Sequence, residues 1–432
     1  MTRIVPRRLP RVFGVTTAIA LAVVLASCSS GAGGGDEGDV ELTFQWWGND
    51  ERAVLTEEAI DLFEQNNPGI TVSTSFATID SYIPKLATQI ASNSAPDLFL
   101  IPMESVKEYA EKGATLDLTE YLGDEIEIDE ISEATQKIGE VGGTTYGFTL
   151  GTATSAWIYN PTVWEDAGAT EPSGDFSWDD LIDAGEKIRA ATDGEVAALS
   201  DPGGYIAWFA TWLNQQGKIG WTEDGALGFE ASDLEAWFEL MERLRESGAT
   251  TDPETTTTID QSMQNSGLAR GASAGEFAAA SLTGAYADTL GAENVALAPL
   301  PSDSDVLAIS MAGTNVAAIA ANSEHPDETA TFLNFLINDP DAAEILGLTR
   351  GIPINQANYE ALIPELDGAD KAVADFVTTY QERFSEPDPL APPGATTIPA
   401  DFTLAYESII FGQASIDDAA ASLYEKFEAT VQ

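Results

Sequence analysis

Between Val40 and Ile101 the hydrophobic period of the chain switches repeatedly, and few folds accept the resulting order. Val40, Leu42 and Phe44 alternate on one strand face, and Leu55, Ala59, Leu62 and Phe63 then recur at helical spacing. Asn66-Asn67-Pro68-Gly69 breaks the helix, after which Ile70, Val72, Thr74 and Phe76 return to period two. A helix over Ile83–Ser92 leads to the apolar run Leu98–Ile101. Strand, helix, strand, helix, strand is the order of an open, mostly parallel sheet covered on both faces. That cover bears on Trp46-Trp47, which end the first strand. Alternation would send one indole of a half-exposed strand into water, whereas a strand covered on both faces shelters each.

The rest of the chain repeats the theme with other lengths. Thr149–Tyr159 is extended and Asn160-Pro161 stops it; Ser177 begins a helix over Trp178–Ala191, followed by a strand at Val196–Leu199. Tyr205–Gln216 is an aromatic-rich helix. Ser232 and Glu235 match a capping box for a helix over Ser232–Ser247, with Leu234, Trp237, Phe238, Met241 and Leu244 as its apolar stripe and Gly248 as its stop. The rings of that stripe are core. Strands at Val295–Leu300 and Asn315–Ala320 precede a helix over Asp327–Asn338, and the C-terminal part is helical around a proline-rich loop, Pro387–Pro399. A chain of 432 residues, 44% hydrophobic, exceeds one typical domain, so two lobes are expected.

Charge and cysteine usage narrow the function. Nineteen Lys+Arg face 71 Asp+Glu, a formal charge of -52, which repels nucleic acid and anionic lipid and gives a heavily hydrated surface. Arg3, Arg7, Arg8 and Arg11 form a basic leader ahead of the apolar stretch Phe13–Ala26. At ~1.5 Å per residue that stretch reaches about 21 Å, short of the ~30 Å hydrocarbon core, so residues 1–27 read as a signal peptide. Leu25-Ala26-Ser27-Cys28 resembles the bacterial lipobox, which implies cleavage before Cys28 and its lipidation; residues 28–39 are then a flexible tether. The membrane is met through that anchor alone. With one cysteine, disulfides and thiol catalysis are excluded. The single histidine, His325, begins a helix; there is no zinc-ligand set, no Ser-His-Asp triad and no phosphate-cradling glycine loop, so neither metal nor cofactor is expected. Paired carboxylates could still support glycoside hydrolysis, which leaves a secreted carbohydrate-active enzyme as the rival class.

"FQWWGNDERAVLTEEAIDLFEQNNPGI" and "SYIPKLATQIASNSAPDLFLI" resemble the family 1 extracellular solute-binding proteins of bacterial carbohydrate ABC importers. "IYNPTVWEDAG", "WLNQQG", "NSEHPDETATFLNFLINDPDAAEILG" and "TRGIPIN" extend the resemblance from about residue 40 to 360. It implies an α/β, two-lobed type II periplasmic-binding-protein fold of the maltose-binding kind, with the lobes joined by a hinge of three crossovers. The N-terminal lobe would take 40–150 and 308–348, the C-terminal lobe 151–307 and 349–432, with crossovers near Gly151, Ser310 and Arg350. It further implies a monomer that binds a carbohydrate in the interlobe cleft, catalyses nothing, and delivers its cargo to ABC permease subunits with a cytoplasmic ATPase. The same scaffold binding another solute, such as an amino-sugar, polyamine or peptide, is the alternative.

Ligands of open α/β sheets settle beyond the carboxyl ends of the strands. Trp47, Asn49, Asp50 and Arg52 lie there: an indole covers the apolar face of a sugar, and Asn, Asp and Arg satisfy its hydroxyls. Trp46 is assigned to the core and Trp47 to the cleft; if both are core, Asn49 and Asp50 are a bare turn. By matching position the resemblance adds Tyr82, which otherwise docks its helix; Asp97, which otherwise caps a turn; and Thr154 at the first crossover. It also adds Tyr205 and Trp208 in the second lobe, Asn315 after the second crossover, and Arg350, which either bonds ligand or pairs with an acid across the lobes. Where many relatives carry a stacking tryptophan this chain has Ala279. Phe277 or Tyr286 would substitute, or the site takes a differently shaped ligand, and Glu276 would accept from a polyol or pair with a cation.

Overall fold

The computed structural model describes residues 39–431 except Asn49, Glu223 and residues 260–262, 386–387, 390–391 and 393–394. The leader, Cys28 and the tether up to Gly38 therefore lie outside the described residues, as does the candidate Asn49. β1 (Val40–Trp47), α1 (Asp50–Asn66), β2 (Ile70–Ala77), α2 (Ile79–Ala91) and β3 (Leu98–Ile101) follow the order set by the hydrophobic period. β2 and β3 flank β1 in parallel, with Trp46 opposite Phe76 and Phe44 opposite both Thr74 and Leu98. α2 starts a turn before its expected start at Ile83, and Pro84 lies inside it. Prolines usually mark a first turn, so the pattern places that start late.

The chain then leaves the first sheet. β4 (Thr152–Ala153) and β5 (Ser155–Tyr159) lead into α3 (Trp178–Ala191), α4 (Ile206–Gln215) and α5 (Ala231–Ser247). β6 (Gly275–Ala279), α6 (Thr283–Leu290) and β7 (Ala296–Ala298) follow, and β5 runs between β6 and β7, antiparallel to both. The expected strand at 196–199 makes only isolated bridges. Ala197 N–H donates to Ala272 O and Leu199 N–H to Ala249 O, two separate segments, so no continuous ladder forms. The capping box of α5 is Glu230–Asp233 instead of Ser232–Glu235: Glu230 N–H donates to Asp233 Oδ2 at 2.8 Å and the helix starts at Ala231. Its stripe is buried as expected, and Gly248 ends it in the left-handed region at φ 79°.

β8 (Ala312–Gly313) pairs with β4, and β9 (Val316–Ile319) returns to the first sheet antiparallel to β3. α7 (Pro326–Asn338) and α8 (Pro340–Leu346) cover the first sheet, with Phe332 and Leu333 against Phe44 and Phe63. α9 (Gly368–Tyr380), α10 (Ile398–Ile410) and α11 (Ile416–Val431) belong with the second sheet, whose main core gathers Trp157, Trp164, Trp178, Trp237, Phe277 and Tyr406. Two separate cores are thus linked where the chain crosses between them three times, and the crossing segments lie side by side. β4 pairs with β8 on one flank; on the other, Thr152 and Ile352 exchange backbone hydrogen bonds of 2.8 and 2.7 Å.

A candidate ligand site beside the crossing strands

Trp46 and Trp47 face opposite sides of the first sheet. Trp46 has no exposed surface; its ring lies 4.8 Å from Phe44 and stacks on Phe76 at 5.9 Å. Trp47 is half-buried with its ring 5.5 Å from Tyr82, and Asp50, exposed, opens α1 at the same strand end. Arg52, one turn on, points away from solvent: its Nε and Nη2 donate to Thr349 O at 3.1 and 2.7 Å. The residue after Thr349 returns the contact. Arg350 Nη2 donates to Thr56 Oγ1 at 2.7 Å, and that hydroxyl donates to Arg52 O at 2.7 Å. The start of α1 and the third crossing segment are therefore clasped in both directions.

Arg350 is only 4% exposed, and its guanidinium lies over the rings of Phe44 and Trp46 at 5.9 and 5.7 Å. Its Nε and Nη1 have no hydrogen-bond partner, and no described carboxylate pairs with it. Burial, with the Arg52 charge adding to it, pulls its pKa down to about 9. Of the two roles expected for Arg350, pairing with an acid across the lobes is not seen among the described residues; the guanidinium instead bonds Thr56 of α1. Asn315 is also buried; its Nδ2 donates to Thr314 Oγ1 at 3.0 Å while its Oδ1 has no partner. Thr314 Oγ1 reaches Gly151 O at 3.4 Å and Arg350 O at 3.3 Å, so the three crossing segments meet at one hydroxyl. Thr154, buried, has its hydroxyl 3.5 Å from Ser155 O, too long to satisfy it.

On the second sheet's side Trp208 is half-buried and meets Phe277 edge-on at 5.6 Å. Tyr205 precedes α4, with its hydroxyl donating to Ile259 O at 3.4 Å. The loop ahead of Tyr205 is anchored by a group that the sequence reading missed. Asp201 is buried and receives Gly203 N–H at 2.8 Å and Tyr406 Oη at 2.9 and 2.8 Å; burial pushes its carboxyl up to about 6. Gly203 is required there, because a Cβ would sit 2.2 Å from Tyr406 Cζ. The pair Gly203-Gly204 was the available signal.

Four further candidates are engaged within the protein. Tyr82 is 2% exposed; its hydroxyl accepts Leu100 N–H at 3.1 Å and donates toward Leu100 O at 2.8 Å and Gln45 O at 3.1 Å, so it docks α2 on the sheet. Asp97 binds Thr43 N–H (2.9 Å), Thr43 Oγ1 (2.7 Å) and Ser323 Oγ (2.7 Å) at the start of β3, not at its carboxyl end. Glu276 is buried and accepts from Ser200 Oγ at 3.1 Å and Leu268 N–H at 3.2 Å; burial raises its carboxyl pKa. Phe277 packs in the core edge-on to Trp157 at 5.8 Å, and Tyr286 is buried as well, so neither ring lies open beside the exposed Ala279. Among the described residues no group of three or more His, Cys, Asp or Glu is placed to hold a metal, and no helix is long and apolar enough to cross a membrane.

Two cores, three crossing segments that pair side by side and a mostly parallel sheet ending in a half-buried indole define the α/β two-lobed fold of type II periplasmic binding proteins. A family model described as bacterial extracellular solute-binding protein matches residues 47–343, and the chain belongs to that family. An extracellular solute-binding protein family 1 structure from Alicyclobacillus acidocaldarius superposes with a TM-score of 0.77 at 26% identity, covering 91% of this chain and 99% of that one. The lactose-binding protein of Rhizobium radiobacter is 26% identical over 239 residues, 53% of this chain and 53% of that protein. A protein of Brucella abortus described only as a binding protein is 29% identical over 222 residues, 49% and 51% of the two chains. The chain spans about half the length of the curated relatives it matches.

Proposed function

We propose that this chain is the extracytoplasmic binding component of an ABC importer for a sugar or oligosaccharide. The half-buried Trp47 at the carboxyl end of β1 carries this reading; its backbone carbonyl lies 3.5 Å from Nη1 of Arg52, the guanidinium that also bonds Thr349 of the third crossing segment. An indole there covers the C–H face of a pyranose, and the half-buried Trp208 offers a second ring from the other side. Asp50, Asn49, Thr154 and the free Oδ1 of Asn315 supply hydrogen-bonding groups for hydroxyls. Residues 40–150 with 308–348 move against 151–307 with 349–432, and closure is favoured because only the closed form contacts the ligand from both sides. The relative that binds lactose supports a carbohydrate over a polyamine; Glu276, the acid that favoured a cationic ligand, already has protein donors. Binding involves no bond-making. Cys28 carries the lipid that moors the mature chain to the outer face of the membrane, where, as a monomer, it meets permease subunits driven by an ATPase.

Titration calorimetry against mono- and disaccharides tests the reading. A saccharide should bind with a Kd in the micromolar range, about −8 kcal/mol, and shrink the radius of gyration in small-angle scattering. If no saccharide in the panel binds or raises the melting temperature, the reading fails.

A further inference from the structure

The substitution at Ala279 has a counterpart in the structure. Just past it, where β6 runs into α6, lies a recess of about 60 Å³. Ala280, Gly284, Ala369 and Val373 form its apolar side, while Thr154, Ser281 and Asp370 bring polar groups to it. Leu348, Gly351 and Ile352 of the third crossing segment close it, so the recess sits at the base of the molecule's two-core junction next to Thr154. Its chemistry is mixed in a specific way. The floor is built of the smallest side chains, and the buried Thr154 hydroxyl has no partner at a proper hydrogen-bond distance. Two waters, at ~30 Å³ each, would fill the space, as would one methylene bearing one hydroxyl.

Resting on the carbohydrate reading above, we propose that this recess receives the exocyclic hydroxymethyl group of a hexopyranosyl ring, so that the chain selects hexosides over the matching pentosides. The methylene of such a group packs on Ala280, Gly284 and Ala369, and its hydroxyl pairs with Thr154 and Ser281. A pentose in the same pose leaves the recess empty and the Thr154 hydroxyl unpaired, and that combination is what separates the two sugars.

Gly284 makes the test clean. It lies in α6, and a Cβ there meets only Ala369 Cβ at 3.6 Å, an ordinary contact, so Gly284→Ala adds a methyl at the recess without strain and Gly284→Leu adds further volume from the same position. Pairs that differ only by the hydroxymethyl group are the probes: cellobiose with xylobiose, and D-galactose with L-arabinose. For wild type, calorimetry should show at least one hexose partner binding about tenfold or more tighter than its pentose partner. In Gly284→Leu that ratio should fall toward one, with Gly284→Ala between, and circular dichroism and melting confirm both folds. Equal affinity within every bound pair, or a ratio unchanged in folded Gly284→Leu, overturns the recess while leaving the carbohydrate reading intact. Wild type that binds no member of the panel overturns both.

Discussion

Replacing Arg350 by methionine removes a buried charge and keeps most of its stem. The guanidinium gives up one charge-assisted hydrogen bond to Thr56, worth about 1.5–3 kcal/mol, and its position over Phe44 and Trp46, worth up to about 2 kcal/mol. Against these stands the cost of holding the charge without a counter-ion. A pKa drawn from 12.5 to about 9 corresponds to roughly 5 kcal/mol at ~1.36 kcal/mol per unit. The balance predicts that Arg350→Met is neutral or more stable by up to about 3.5 kcal/mol in urea unfolding at pH 7, with an unchanged m-value. The sign with pH follows. Between about 9 and 12.5 the unfolded chain binds more protons than the folded one, so wild-type stability rises there and the advantage of the variant narrows by roughly 1 kcal/mol between pH 8 and 10. A loss of about 3 kcal/mol or more at pH 7 would refute the reasoning, because that is the cost of breaking a compensated buried pair. Saccharide affinity should fall in the same variant, since the clasp between α1 and the third crossing segment is cut on one side.

Other outcomes follow from the same geometry. Trp46→Ala should cost about 3–5 kcal/mol of stability, whereas Trp47→Ala should cost less than half of that and weaken saccharide binding by at least tenfold; equal destabilisation by the two would place Trp47 in the core. Tyr82→Phe should lower stability by about 1–3 kcal/mol by leaving Leu100 N–H unpaired, with no change in Kd by calorimetry; a tenfold change in Kd would return Tyr82 to the ligand site. Asp201 has its carboxyl raised to about 6, so the folded state holds its proton more tightly. Its contribution is complete below about pH 4 and is lost as pH rises through 6, about 3 kcal/mol in all. Asp201→Asn should lack that slope, and melting curves at pH 4.5 and 7.5 compare the two; parallel pH profiles would show that burial does not raise the Asp201 carboxyl.

What the sequence made legible is what repeats locally. The first sheet follows from alternation at Val40–Phe44 and Ile70–Phe76 because parallel strands and their helices write their period into consecutive residues. Trp46 and Trp47 could be separated for the same reason, as a single step along a strand changes the face. The errors occur where a local pattern had two physical readings. Ser232 and Glu235 have the spacing of a capping box, but Glu230 and Asp233 have an equivalent one two residues earlier and the backbone took it. Residues 196–199 have a strand's composition, yet their N–H groups are divided between two partners.

The site was less legible because its contacts join distant parts of the chain. Arg52 meets Thr349 and Arg350 meets Thr56 across nearly three hundred residues, and no spacing rule carries that information. Acids posed the opposite problem. Asp97 is a candidate by matching position and Glu276 as a polar group in the stretch around Ala279, but a polar side chain serves the backbone as readily as a ligand, and both are occupied by Thr43, Ser323, Ser200 and Leu268. The groups left with unmet hydrogen-bonding capacity are therefore the informative ones. In this fold Thr154 and Asn315 Oδ1 lie at or beside the crossing segments, where lobe movement and ligand contact would be coupled. Replacing the Asn315 amide by a carboxylate tests that coupling. Asn315→Asp keeps the shape, removes the donor to Thr314 Oγ1 and adds charge at a buried position, so binding should weaken more than tenfold while stability drops by only about 1–2 kcal/mol. Calorimetry and urea unfolding on one preparation give both numbers, and a stability loss with unaltered Kd would make Asn315 a part of the hinge alone.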